Sequence, residues 1–412
     1  MFKFLKVAFL KGGSSFGGLL ILIVIGYYYD NSELAFFSSD LAIALGISLA
    51  TRLGWDVLGV KYLPRYFSER DFNGGFNFFI TFMCRAFFIF TIICLITFKF
   101  LNTYTILLGA LFTVSIYFSV LFRSQGNLYQ AIFFEPSFSL LITSFALVFF
   151  SYFIPYIKPI EVLIISVLVL NVIGGGVVLK SFTELVKKRE RGCVVNVKLS
   201  DLFYHKGESL TFFIVALNGY FINQGMVWLS GLLGSQSEIA ATAVIIKIGV
   251  VVSFSLVISN LLYNPVLSVQ LSKKNLVEVK NISRKSVFQS SLISCVLFFL
   301  ILLLNVDIMN YFDLENKKSA FYLLIFCFSQ FVNVLTGSAA AILNLSGNEK
   351  VVITIQGVCL FLALVLSFIL SFSIGGYSPV FSFSITLMLQ NVVQVICVKK
   401  LLGINIYTRA RV

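Results

Sequence analysis

Apolar runs of about twenty residues follow one another along almost the whole chain, separated by short polar intervals. A helix rises about 1.5 Å per residue, so about 20 apolar residues cross the ~30 Å hydrocarbon of a bilayer. Twelve such spans fit, at roughly 9–28, 34–58, 75–97, 102–122, 129–153, 161–182, 208–231, 236–263, 286–305, 318–343, 351–373 and 379–398. A closed β-barrel is the other structure that satisfies its backbone inside lipid, but its strands alternate apolar and polar residues. Runs such as Phe87–Thr97 and Val296–Leu304 do not alternate, so helices are expected.

The longest polar interval is Lys187–Lys206, KKRERGCVVNVKLSDLFYHK, with about half the chain on either side. The predicted architecture is all-α and polytopic. A six-helix lobe over 1–186 and a second over 207–412 are joined by a basic cytoplasmic linker at 187–206. The halves share a short pattern. Asn31-Ser32-Glu33-Leu34-Ala35 follows the first span, and Gln236-Ser237-Glu238-Ile239-Ala240 follows the seventh. Both copies run in the same direction, which implies parallel repeats about a pseudo-two-fold axis along the membrane normal.

Composition supports this reading. The chain is 58% hydrophobic and 12% charged, against roughly 25% charged in an ordinary soluble domain. A net charge of +13 points to nucleic acid in a soluble protein. Here the positive-inside rule accounts for it, and no nucleic-acid partner is expected. Of the 31 basic residues, 25 fall on one side of the predicted spans, four (Lys99, Lys158, Lys317, Lys318) on the other, and two (Arg85, Lys247) inside spans. Both termini are therefore expected in the cytoplasm. Seven cysteines without paired spacing read as packing residues, and the lone His205 rules out a multi-histidine metal site. Lys3, Lys6 and Lys11 precede an apolar run without a small-residue cleavage site, so the first helix is expected to remain. No cofactor is expected. No nucleophile–His–acid set or nucleotide loop is evident, and the outward loops are too short to carry an enzyme's machinery.

A charge at mid-membrane costs about 2.5–3.5 kcal/mol on insertion scales, which makes deep charges the first functional candidates. Arg85 lies about ten residues into the third span, and Lys247 lies nine residues after Glu238. Asp40, seven residues after Glu33, is expected at a depth similar to Lys247 on the matching helix, paired with it or lining the same cavity. An outer-interface carboxylate beside Ser38 and Ser39 is the other reading of Asp40. Arg52 and Asp56 are four apart and share a helix face, and Lys61 and Arg65 extend a possible cationic funnel. Ordinary positive-inside anchoring is the alternative for these basic residues. Glu135 precedes Pro136 in the fifth span, where a kink and a carboxylate suit a coupling ion or an interface. Gly13 and Gly17 form a small-xxx-small pair suited to helix packing.

The layout, together with Lys11-Gly12-Gly13-Ser14-Ser15, Leu53-Gly54-Trp55-Asp56, Gly231–Gly234 and Glu238–Ala240, resembles the polysaccharide-export branch of the multidrug/oligosaccharidyl-lipid/polysaccharide exporter superfamily. Within that branch it looks like the Wzx-type O-antigen flippases. The resemblance implies a multi-pass protein of the bacterial inner membrane that carries undecaprenyl-pyrophosphate-linked oligosaccharide. Membrane lipids are further partners, as are a polysaccharide polymerase and a chain-length regulator. H+ or Na+ would be the coupling ion. By position, Arg52, Arg85 and Lys247 match the cations that meet the pyrophosphate. An ion-coupled multidrug-type antiporter of the same architecture is the alternative, although it would favour a carboxylate-rich cavity.

Overall fold

A computed structural model describes residues 2–68, 72–154, 157–187, 206–314 and 317–407. The basic interval expected as a linker, His205 included, lies almost wholly outside these residues. The chain divides into two compact units, Met1–Tyr220 and Phe221–Val412. Among the described residues, nine helical stretches are long and apolar enough to cross a membrane, and two shorter apolar helices cover 12–28 and 136–151. One of the nine, 349–402, contains two helices separated at Gly375.

The first unit contains α1 (Phe2–Tyr28), α2 (Asn31–Arg52), α3 (Trp55–Ser68), α4 (Phe72–Thr97), α5 (Thr103–Ser124), α6 (Leu128–Phe133), α7 (Pro136–Phe153), α8 (Pro159–Lys187) and α9 (Lys206–Tyr220). α5 is its hub, packed on α2, α3 and α8. Lipid tails are as apolar as leucine, so close packing rather than water exclusion drives association here. Glycines provide it. A Cβ at Gly17 would lie 2.7 Å from the Leu141 backbone nitrogen on α7, and one at Gly109 would lie 2.9 Å from Ile47 on α2. Gly17 thus serves packing, whereas Gly13 has open space around its Cβ position.

Two expected spans are interrupted in this unit. The second, predicted to run to residue 58, ends at Arg52, because Leu53 (φ 45°) and Gly54 (φ 78°) are both left-handed. The fifth breaks at Phe134–Glu135, and Pro136 opens α7, where its missing N–H removes no helical hydrogen bond. The expected seventh span is also divided. Its first part, α9, lies with the first unit, where the Ser209 hydroxyl donates to the Leu53 carbonyl at 2.5 Å. The Tyr220 hydroxyl donates to the Ala42 carbonyl at 2.8 Å.

The second unit opens with a π-helical turn, Phe221–Gly225. It continues with α10 (Met226–Leu233), α11 (Gln236–Ser272), α12 (Leu276–Tyr311), α13 (Lys317–Thr336), α14 (Ala339–Leu345), α15 (Glu349–Ile374) and α16 (Ser378–Leu402). α11 packs on α12 and α13, and α16 packs on α13 and α15. Serines line the α11–α12 contact. The Ser259 and Ser286 hydroxyls are 2.7 Å apart, and Ser255 donates to the Ser290 carbonyl at 3.0 Å. With 37 and 36 residues, α11 and α12 are each about 55 Å long, well beyond the ~30 Å hydrocarbon.

The repeated pentapeptides adopt the same local structure. Asp30 caps α2 by accepting the Glu33 N–H at 2.9 Å. Ser235 caps α11 in a capping box with Glu238, which accepts the Ser235 N–H at 2.8 Å. Each repeat therefore marks the start of a long helix.

Candidate functional site

The α2–α3 elbow organises the charged residues of the first unit. Two left-handed residues in succession turn the chain back, and Gly54 is required twice over. Its φ is positive, and a Cβ there would strike the Ser209 carbonyl and lie 2.7 Å from the Phe213 nitrogen of α9. The turn brings Asp56, in the first turn of α3, against Arg52, the last residue of α2, and the two form an ion pair. The Arg52 Nε also donates to the Ser48 carbonyl at 3.0 Å. The side chains are 10% and 16% exposed, so the pair is largely desolvated.

Trp55, 1% exposed, anchors the elbow. It packs edge-on against Phe82 of α4 at 4.7 Å, within a core that includes Leu58, Tyr117 and Val120. The Arg85 guanidinium carbon lies 4.3 Å from the centre of the Trp55 ring. Such a cation–π contact is worth about 2 kcal/mol when desolvated. It does not satisfy the hydrogen-bonding capacity of Arg85. Its Nη1 is buried without an acceptor among the described residues, and the same holds for the Trp55 Nε1. The Asp56 Oδ1 is likewise buried without a donor among them. Arg52 is thus paired with Asp56, while Arg85 and the Trp55 indole each keep a buried N–H donor unused. A planar guanidinium in that position suits a phosphate oxygen, which accepts short charge-assisted hydrogen bonds.

The remaining expected site residues lie elsewhere or do not cluster. Asp40 accepts a hydrogen bond from the Thr105 hydroxyl at 2.6 Å, which sets it level with the first turn of α5. It is twelve residues before Arg52 on the same helix, about 18 Å away. It is the tenth of the 22 residues of α2 and so does not join the elbow cluster. Lys61 is in α3, but its side chain and that of Arg65 lie outside the described residues. Glu135 is not inside a helix. It occupies the N-cap position of α7, with extended backbone, and is ion-paired with the Arg123 Nη2 at 2.7 Å. Lys247, in the second unit, is twelfth along α11, about 17 Å from its start. Among the described residues its ammonium has no hydrogen bond or ion pair.

Sequence reasoning picks out Arg52, Asp56 and Arg85 separately but misses Trp55 as the surface that orients Arg85. The available signal was small: one of only two tryptophans in the chain stands next to Asp56. The left-handed turn that joins them carries no signal beyond Gly54.

Comparison with known proteins bears on the fold. The MatE family model matches residues 212–369. No curated protein matches the sequence. Solved structures match along nearly the whole chain. The lipid II flippase MurJ, in an inward closed conformation, superposes with a TM-score of 0.62 at 14% identity, covering 97% of this chain and 88% of that one. The MATE multidrug transporter DinF-BH superposes with a TM-score of 0.64 at 14% identity, covering 98% and 95%. A multidrug resistance MATE family transporter of the MOP superfamily, inward-facing, gives 0.60 at 12% identity, covering 97% and 94%. At these identities the likeness is one of fold. The fold is the one that MurJ and these MATE transporters share.

Proposed function

We propose that the protein is a flippase. It moves undecaprenyl-pyrophosphate-linked O-antigen or related polysaccharide repeat units from the cytoplasmic to the periplasmic leaflet of the bacterial inner membrane. It crosses the membrane twelve times, with both termini in the cytoplasm, and works by alternating access between two lobes. One observation carries this reading: Arg85 lies over the Trp55 ring with a buried Nη1 that no described residue satisfies. A pyrophosphate needs that kind of partner to leave water, and a cationic drug would be repelled by it. Arg52 with Asp56, and Lys61 further along α3, guide the headgroup, while Lys247 supplies a further cation within α11. A polymerase and a chain-length regulator would take over the delivered units.

A multidrug-type antiporter is the second reading. What favours it is Asp40, a carboxylate held by the Thr105 hydroxyl, as a proton or cation exchanger needs. Coupling to H+ or Na+ through Glu135 would require breaking its pair with Arg123. Complementation separates the readings. In cells lacking their O-antigen flippase, the gene should restore surface glycan, and Arg85→Ala should abolish the rescue. Restored drug efflux without surface glycan would reject the flippase.

A further inference from the structure

α12 keeps two faces strictly apart. Val279, Ile282, Ser283, Ser286, Val287 and Ser290 are buried against the second unit, whereas Asn281, Arg284, Lys285, Phe288 and Leu292 are exposed. Exposed apolar residues continue along the helix from Phe288, 69% exposed, to Leu304, and polar Asn305 follows. Phe288 and Leu304 are sixteen residues apart, about 24 Å, close to the ~30 Å hydrocarbon. The exposed face of α12 therefore meets acyl chains, and Phe288 marks where they begin.

Arg284 and Lys285 stand one turn before Phe288, about 5–6 Å along the axis. That depth falls within a headgroup layer about 5–8 Å thick. Both are exposed on the face that carries Phe288 and Leu292. Among the described residues neither forms an ion pair. Gln289, one turn above Lys285, is exposed beside them. Its Oε1 accepts the Tyr263 hydroxyl of α11 at 2.6 Å, which fixes the amide and leaves its Nε2 donors to another acceptor. The other charges of the hairpin stand apart. Lys280 is half-buried. Leu276 opens α12 nine residues before Lys285, about 13 Å, so Lys273 and Lys274 lie past the headgroups. Glu278 is six residues before Arg284, about 9 Å.

Ordinary anchoring asks that cations stand outside the hydrocarbon, on any side of a helix. Here two cations and an oriented amide share the lipid-facing side, and an apolar track leads straight away from them. A phosphodiester accepts charge-assisted hydrogen bonds from a guanidinium and an ammonium. We propose that this face of α12 binds an anionic phospholipid from the surrounding leaflet. Its phosphate engages Arg284, Lys285 and the Gln289 Nε2, and its chains lie along Phe288 and Leu292. The inference concerns a resident lipid and not the cargo, so it stands apart from the flippase reading. Each cation near the surface favours an anionic lipid by about fivefold, so two give about 25-fold over a zwitterionic one.

The test uses the full chain in phosphatidylethanolamine nanodiscs doped with phosphatidylglycerol carrying a diazirine near the glycerol end of one chain. The expected result is labelling within 288–296. Native mass spectrometry with chain-matched phosphatidylglycerol and phosphatidylethanolamine should show the 25-fold preference. Arg284→Gln with Lys285→Gln should remove it, and Gln289→Met should weaken phosphatidylglycerol binding about two- to tenfold. Inorganic phosphate should not displace the lipid, because the chains supply part of the hold. Equal affinity for the two lipids would overturn the inference. So would labels confined to other helices, a preference undiminished in the double variant, or displacement by phosphate. The labelling map of the unmodified chain decides the matter even if the double variant melts early. Glycan complementation reads the flippase proposal separately from all of these.

Discussion

α2 and α11 begin alike and end differently. Both start at a capped N-terminus with a glutamate three residues on, Glu33 or Glu238. α2 stops after 22 residues at a left-handed elbow, whereas α11 continues for 37. The elbow brings a carboxylate and an indole to its basic residues, so Arg52 and Arg85 have partners inside the protein. The uninterrupted helix does nothing of the kind for Lys247. A buried cation is held either by a local break that supplies partners or by whatever enters the site. The two helices illustrate the two solutions.

The largest effect is expected at Arg85. Arg85→Ala removes the charge that would meet the headgroup, and losing a hydrogen bond to a charged group costs about 1.5–3 kcal/mol, roughly 10- to 150-fold in substrate binding. Arg85→Lys should recover little, because an ammonium lacks the flat fork that stacks and donates twice. Transport assays on both variants check this, and full activity in the lysine variant would remove the stacked geometry from the mechanism. Next comes Gly54→Ala, which places a Cβ on a left-handed residue against the α9 backbone. It should cost about 1–3 kcal/mol, read as a lower melting temperature in detergent. An unchanged melting temperature would mean that the elbow is not what fixes Arg52 and Asp56.

Lys247→Met sharpens the contrast. It keeps the side-chain length and removes an unpartnered charge, so stability should hold or rise while transport falls. A loss of stability would mean that Lys247 has a structural partner, as Arg52 does. Glu135→Gln breaks a partly exposed ion pair worth about 0–1 kcal/mol. Transport that keeps its dependence on the ion gradient in this variant would exclude Glu135 as the coupling group.

The smallest effect concerns the shared helix start. Asp30→Ala and Ser235→Ala should each cost about 1 kcal/mol. The Asp30 carboxyl is held below the usual carboxylate range, first by the Glu33 N–H and then by the Ser32 hydroxyl. A lowered folded value means that its contribution is present above the ordinary carboxylate range and fades as pH falls through the lowered value. Acid titration of the melting temperature should therefore show the difference between the unmodified protein and Asp30→Ala shrinking at low pH.

Much of the fold was legible because lipid permits so little else: long apolar runs must be helices, although Pro136, expected to kink the fifth span, opens a new helix instead. The repeat at 31–35 and 236–240 also held as local structure, since capping is decided within four residues. What was not legible depended on distant contacts. The extension of α2 to residue 58 failed because Leu53, an ordinary helix former, is left-handed here beside Gly54. The hydrogen bond from Thr105 to Asp40 joins residues 65 positions apart, and no local pattern in the sequence announces it. The stacking of Arg85 on Trp55 spans thirty positions, and no spacing rule reaches that far.

The unusual length of α11 and α12 has a spatial consequence. Two serine-seamed rods of 37 and 36 residues outreach the hydrocarbon by about 25 Å. The turn at Lys273–Asn275 joins them and is followed by Lys280, Arg284 and Lys285. A hairpin of this length holds its basic turn about 39 Å along α11 from Lys247, so the charges at its tip and the cation within the helix are separated by more than the thickness of the hydrocarbon.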